Sequence, residues 1–169
     1  MSRLTVTAAA AAMALAAQPG AAQAVLGPDA AACRSGSRNA ALLVDISGFR
    51  ERTGTLRVQL YGGNPADWLA RGRYLKRIDL PVAPAGRSMP VCVALPGPGR
   101  YAVAVRHDED GDGRTGWSDG GGFSRNPVLS LAGRPLHEEV AIEAGGRVER
   151  IEVLLNYRTG LTIAPVEGG

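Results

Sequence analysis

The sequence predicts an all-β fold, a seven-stranded antiparallel β-sandwich, on three observations. Apolar side chains recur at every second residue in short runs, turn-forming residues separate the runs, and helical periodicity is almost absent. Strands of this kind each have one apolar face, and two facing sheets bury those faces against each other.

The first run sets Leu42, Val44 and Ile46 against Leu43, Asp45 and Ser47. Gly48 through Gly54 makes a polar turn, and Leu56, Val58 and Leu60 then alternate with Arg57, Gln59 and Tyr61. These two strands are expected to pair as a hairpin. Asn64-Pro65-Ala66-Asp67 supplies a capping residue with proline at the first helical position, which places Trp68 and Leu69 on a short helical turn. Tyr74, Ile78, Leu80 and Val82 mark a third strand, closed by Pro84-Ala85-Gly86. A fourth covers Met89 to Leu95, where Val91, Val93 and Leu95 compete with Cys92 for the inward face and leave the register open. After the turn Pro96-Gly97-Pro98-Gly99, Tyr101, Val103 and Val105 alternate with Ala102, Ala104 and Arg106 in the fifth. A Gly- and Asp-rich loop runs from Asp108 to about Pro127; Val140 and Ile142 then define a sixth strand, and Ile151, Val153, Leu155 and Tyr157 a seventh.

A chain of 169 residues suits one domain. Residues 1–24 have the parts of a signal peptide: Arg3, an apolar stretch from Leu4 to Ala17, and Ala22-Gln23-Ala24 before the expected cleavage point. The apolar stretch is too short to span a bilayer, and no other segment qualifies, so no transmembrane anchor is expected after cleavage. Export to the periplasm or beyond the cell follows. Residues 25–39 are expected to be a flexible leader, 40–158 the sandwich and 159–169 a frayed tail. The mature chain of about 145 residues is large enough to bury roughly 68–70% of its unfolded surface.

The net charge of +3 falls to +2 once Arg3 leaves, and the basic residues are scattered. No stripe tracks a phosphate backbone and few aromatics interleave for stacking, which argues against nucleic acid as a partner. The two cysteines, Cys33 and Cys92, are expected to form a disulfide in an oxidising compartment. The rival reading, a lipidated N-terminus at Cys33, sits too far behind the apolar stretch and strands Cys92.

The segment His107-Asp108-Glu109-Asp110-Gly111-Asp112-Gly113 carries the sharpest chemical signal. Counted from Asp108, side-chain oxygens fall at positions one, three and five, Gly113 at six, the Arg114 carbonyl at seven and Asp119 at twelve. This is the ligand spacing of a calcium loop, in which alternating carboxylates curl around a hard cation and glycine allows the sharp turn. Asp at position twelve, Thr115 at eight and the lack of flanking helices depart from an EF-hand. The competing reading is a solvated turn in which Asp and Gly serve turn geometry alone. A calcium site of this kind would bind weakly, on the order of 10⁻⁴–10⁻³ M.

Gly111-Asp112-Gly113-Arg114-Thr115-Gly116 also spells GxGxxG, but no helix follows and the carboxylates would repel a pyrophosphate. Catalysis is not expected. His107 lies in line with Tyr101, Val103 and Val105, which favours a structural histidine holding loop backbone over the general base of a hydrolase. His137 is expected to be exposed at a strand start, and Ser118, Ser124 and Ser130 lack a nucleophile-elbow setting. The favoured function is a non-catalytic domain whose long loop, ordered by calcium, presents a surface to a protein or glycan partner. A carbohydrate-binding module using Trp68, Tyr74 and Trp117 is the alternative.

Tyr101-Ala102-Val103-Ala104-Val105-Arg106-His107-Asp108-Glu109-Asp110-Gly111-Asp112-Gly113, preceded by Leu95-Pro96-Gly97-Pro98-Gly99, resembles the DUF2141 family of exported bacterial proteins. Gly122-Phe123-Ser124-Arg125-Asn126 is similar to that family's GFSNN-like segment, and Val44-Asp45-Ile46-Ser47-Gly48-Phe49 and Gly54-Thr55-Leu56-Arg57-Val58-Gln59-Leu60-Tyr61 are similar to its first strands. The resemblance spans about residues 41–157 and implies a transthyretin-like or immunoglobulin-like sandwich of unassigned function. Relatives often carry Asn where this chain has Asp110 and Asp112, and a longer segment before the Phe, so this loop is shorter and more acidic.

Overall fold

A computed structural model describes residues 24–166. The signal peptide expected over 1–24 lies, except for Ala24, outside the described residues, as do the last three residues of the tail. The described strands are β1 (Ala41–Ser47), β2 (Thr55–Tyr61), β3 (Lys76–Pro81), β4 (Ser88–Ala94), β5 (Gly99–Asp108), β6 (Gly120–Phe123), β7 (Ile142–Ala144), β8 (Val148–Leu154), β9 (Asn156–Thr159) and β10 (Thr162–Ala164). One helical turn, α1 (His137–Val140), precedes β7, and short 3-10 turns cover Ala30–Cys33 and Pro65–Asp67. No helix among the described residues is long and apolar enough to cross a membrane.

The fold is the expected all-β sandwich. A smaller sheet runs β4-β1-β8 and a larger one β10-β9-β6-β5-β2-β3, with β7 paired to the first residues of β5. Every strand pairing is antiparallel except that of β1 with β8, which is parallel. Leu42, Val44 and Ile46 of β1 face Leu56, Val58 and Leu60 of β2 across a core completed by Met89, Val91, Val93, Val103, Val105, Val153 and Tyr157. Removing each such side chain from water is worth about 1.5–3 kcal/mol, and this layer is the main source of stability.

Strands β1 and β2 do not form the expected hairpin. They belong to opposite sheets, and residues 48–54 cross between them. Both present the same inward alternation, so each covers the other's apolar face, and the connection is longer than the two-residue loops that close tight hairpins. The register left open at Cys92 also resolves. Val91 and Val93 enter the core, while Cys92 points outward to a second apolar cluster with Cys33, Ala41 and Leu43. Both faces of β4 are buried, which is why alternation alone did not choose.

That outer cluster is roofed by the leader, expected to be loose and found packed. Leu26 pairs with Val91, the Asp29 carboxylate accepts from Lys76 Nζ at 2.6 Å and from the Ala94 amide at 2.9 Å, and Cys33 is bonded to Cys92 across a Cα separation of 5.9 Å. The tail is also more ordered than expected, since Thr162–Ala164 returns on Asn156–Thr159 as a hairpin. The run read as a single seventh strand breaks at Leu155, where the chain leaves the smaller sheet as β8 and enters the larger as β9. Val140 is likewise not in a strand: it ends α1, whose start is capped by the Glu139 carboxylate on the Leu136 amide at 2.6 Å.

The outer face of the larger sheet is covered at one end by a small cluster of Tyr61, Ala102, Ala104 and Val140, with Trp68, Leu69, Tyr74 and Phe123 against it. Asn64 caps the turn before Trp68 by accepting from the Ala66 amide, with Pro65 at the first position as the sequence predicts. The other end of this face stays open.

Candidate functional site

The acidic segment begins where β5 runs out. Alternation along β5 sends His107 inward, with Arg106 and Asp108 on the opposite face. Asp108 is 3% exposed, whereas Asp110 and Asp112 are open to solvent. One carboxylate oxygen from each of these three residues lies within 4.8 Å of the others. Local hydrogen bonds shape the turn: the Gly113 amide donates to Asp108 Oδ2 at 3.0 Å, the Asp112 amide to Asp110 at 3.1 Å and the Arg114 amide to Asp112 at 2.6 Å. Gly111 and Gly113 have positive φ values of 71° and 78°, conformations that glycine adopts without steric cost.

Asp119, at position twelve of the spacing, is not part of the trio. Its Oδ2 accepts from the Gly116 amide at 3.1 Å and lies 3.9 Å from Arg106, whose other terminal nitrogen donates to Asp108 at 2.9 Å. Arg106 therefore stands between the two ends of the loop. Asp108 Oδ1 and Asp119 Oδ1 are buried and, among the described residues, have no hydrogen-bond partner. Such orphaned carboxylate oxygens are costly unless a cation or solvent satisfies them. Burial, above all, holds the Asp119 carboxyl above the usual carboxylate range; Asp108 and Asp110 add to this, while Gly116 and Arg106 oppose it.

Glu109, between the first two aspartates, turns away from them. Its carboxylate pairs in bidentate fashion with Arg50, at 3.0 and 2.8 Å, and Arg50 also donates to the Ser118 carbonyl at 2.8 Å. One guanidinium thus ties both arms of the loop to the segment that crosses between the sheets. Thr53 adds a bond to the Glu109 carbonyl at 3.1 Å. Gly54, with φ of 72°, is pressed against the Asp108 and Glu109 carbonyl oxygens, where any Cβ would collide. Neither Arg50 nor Thr53 is apparent as a site residue from the sequence alone. The signal was local, a polar connection bounded by Gly48 and Gly54, but its partner lies 59 residues away.

His107 is structural, as its place in the alternation predicts. It is fully buried, with Nε2 2.8 Å from the Thr53 carbonyl and Nδ1 2.6 Å from the Tyr157 hydroxyl. The carbonyl can only accept, so Nε2 donates, and the Tyr157 hydroxyl then donates to Nδ1 while accepting from the Arg50 amide at 3.2 Å. Every polar atom in the relay is used, and the ring is out of reach of a substrate. Burial pushes the Tyr157 phenol up to about 12. His137, expected to be exposed, is 3% exposed instead: α1 turns it onto Trp68, with Nε2 3.0 Å from the Gly62 carbonyl.

The segment Gly122-Phe123-Ser124-Arg125-Asn126 holds the two sheets together. A Cβ on Gly122 would come within 2.7 Å of Val153 and the Leu154 carbonyl. Ser124 is fully buried; its hydroxyl accepts from the Val103 amide at 3.0 Å and donates to the Val140 carbonyl at 2.6 Å, replacing a rung of the sheet. Asn126 then accepts from the Leu154 amide at 2.8 Å and donates to the Glu152 carbonyl at 3.2 Å. The three aromatics considered for sugar stacking do not share a surface. Trp68 is packed inside the small cluster with its indole N–H on the Pro135 carbonyl at 2.9 Å, Tyr74 lines an open cleft, and Trp117 is 74% exposed beneath the Arg158 guanidinium.

No curated protein and no solved structure matches the chain. A family model does, over residues 44–152, from the core of β1 through the clamped loop to β8. The chain belongs to that family, described as an uncharacterized protein conserved in bacteria (DUF2141).

Proposed function

We propose that this chain is an exported, non-catalytic β-sandwich protein whose loop from Asp108 to Asp119 takes up a calcium ion and thereby orders a binding surface. The convergence of Asp108, Asp110 and Asp112 carboxylates within 4.8 Å carries the reading. Three negative charges at that spacing repel one another in the absence of a cation, and all-oxygen donors suit a hard divalent ion. The orphaned Oδ1 atoms of Asp108 and Asp119 support it, because a cation would satisfy oxygens that the protein leaves unpaired. The Arg114 carbonyl and Asp119 are the further donors that the spacing offers. The ion's role would be to neutralise and stiffen the loop, whose ends Arg50 and Arg106 already hold in place. A non-catalytic role accords with His107 being spent on Thr53 and Tyr157.

Calorimetric titration of calcium into the mature protein tests the proposal. Binding is expected with a dissociation constant on the order of 10⁻⁴–10⁻³ M, selective over magnesium, which prefers a tighter octahedral shell. Asp112→Ala should abolish the heat, and Arg50→Ala should weaken it severalfold by freeing the loop arms. No calcium heat at millimolar concentration, or an undiminished heat in Asp112→Ala, would refute the metal site.

A further inference from the structure

The open end of the larger sheet's outer face forms a cleft of about 710 Å³, bounded on one side by residues 69–74 and on the other by Thr115, Gly116 and Asp119 of the acidic loop. That volume accommodates a ligand of roughly disaccharide to drug size. Four arginines line it, Arg71, Arg77, Arg106 and Arg134, against one carboxylate, Asp119. Arg77 is paired with Asp79 at 2.7 Å and Arg106 with Asp108. Arg71 and Arg134 are exposed and, among the described residues, pair with no carboxylate. Two unneutralised guanidiniums thus face one cavity.

The cleft floor is kept clear at Gly121, which packing does not require to be glycine. The three consecutive glycines of β6 face alternate sides of the sheet. A Cβ on Gly120 would press on the Tyr157 ring and one on Gly122 on Val153, so the core demands both. Gly121, on the cleft side opposite Arg106, would place a Cβ 4.0 Å from the Val105 carbonyl and touch nothing else, with no left-handed backbone to forbid it. The absence of a side chain there leaves the cleft floor open. Ala104, buried with Tyr61, Ala102 and Val140, adds only a methyl to the floor, while Tyr74 and Phe123, both half-buried, offer ring surface at the edges and Gln59 a polar amide.

We infer that this cleft binds an acidic oligosaccharide, its carboxylate or sulfate groups on Arg71 and Arg134 and its rings against Tyr74 and Phe123. Guanidiniums recognise such anions by paired hydrogen bonds, and ring faces with a polar perimeter suit a sugar. A compact aromatic acid would call for a closed apolar slot, which this broad cleft is not. The inference deepens the calcium reading by naming the ligand of the surface beside the loop, and depends on that reading only for one wall.

Titrations of digalacturonate, its dimethyl ester and a sulfated uronate disaccharide into the mature protein, in calcium and in chelator, test this. An acidic disaccharide is expected to bind, with the ester at least about ten-fold weaker. Arg71→Gln with Arg134→Gln should weaken binding by a similar factor, and Gly121→Leu should abolish it while leaving the melting temperature and the calcium heat unchanged. No binding of either acidic sugar up to about 5 mM, equal binding of the ester, or binding that survives Gly121→Leu would overturn the inference. Sugar binding that is equal in calcium and chelator supports the cleft and counts against calcium ordering its surface; a calcium heat without sugar binding supports the metal site and overturns the cleft.

Discussion

Breaking the disulfide between Cys33 and Cys92 is expected to lower stability by up to about 4 kcal/mol, seen as a drop in melting temperature of about 10 °C. The bond closes a loop with a sequence separation of 59, and constraining so long a loop removes much of the unfolded chain's freedom. It also fastens the leader over Leu43 and Ala41, so its loss uncovers the outer face of the smaller sheet. Thermal melts of residues 25–169 with and without reductant, and of Cys33→Ala with Cys92→Ala, provide the check. A change below about 2 °C in both would mean that the leader is held without the bond.

The second large effect is expected at His107. His107→Ala should cost about 3–5 kcal/mol, the range for emptying a large buried site, because it also strands the Thr53 carbonyl and the Tyr157 hydroxyl. Tyr157→Phe, which keeps the ring and deletes only the hydroxyl, should cost about 1–3 kcal/mol. The two losses overlap, so the double variant should be less destabilised than their sum. Tyr157 adds a pH signature. Its phenol titrates at about 12 in the folded protein against its ordinary value of 10.0, so between those values the folded state holds a proton that the unfolded state has released. Stability from this group is complete below pH 10 and is lost as pH rises toward 12, by about 2–3 kcal/mol in all. Denaturant titrations at pH 9 and 11 should show a decline that is smaller in Tyr157→Phe. An equal decline in both proteins would remove Tyr157 as its source.

The sandwich was legible because β1, β2 and β5 carry a large apolar residue at every second position, with Asp45 and Ser47, Arg57 and Gln59, and Ala102, Ala104 and Arg106 between them marking the other face. Where that contrast is missing, the sequence does not tell one face from the other. β4 is covered on both faces, so Val91, Cys92 and Val93 all look like core. β6 is largely glycine, a composition that signals loop, yet Gly120 and Gly122 are glycine because Tyr157 and Val153 leave no room for more. Leu155 continues an unbroken alternation while the chain changes sheets, a tertiary event with no local mark. The site divides in the same way. Asp108, Asp110 and Asp112 are near in sequence and their meeting follows from spacing. The Arg50–Glu109 clamp and the Arg71–Arg134 cleft join residues far apart in sequence, and only the fold brings them together.

Whether the sandwich holds three aspartates ready for a cation is tested most directly by a thermal melt of residues 25–169 in calcium against chelator. With a dissociation constant near 1 mM, about 10 mM calcium should stabilise the fold by roughly 1.4 kcal/mol, a rise of about 3–5 °C. Asp112→Ala should melt at the same temperature in both buffers. An identical midpoint for the unaltered protein with and without calcium would contradict the account.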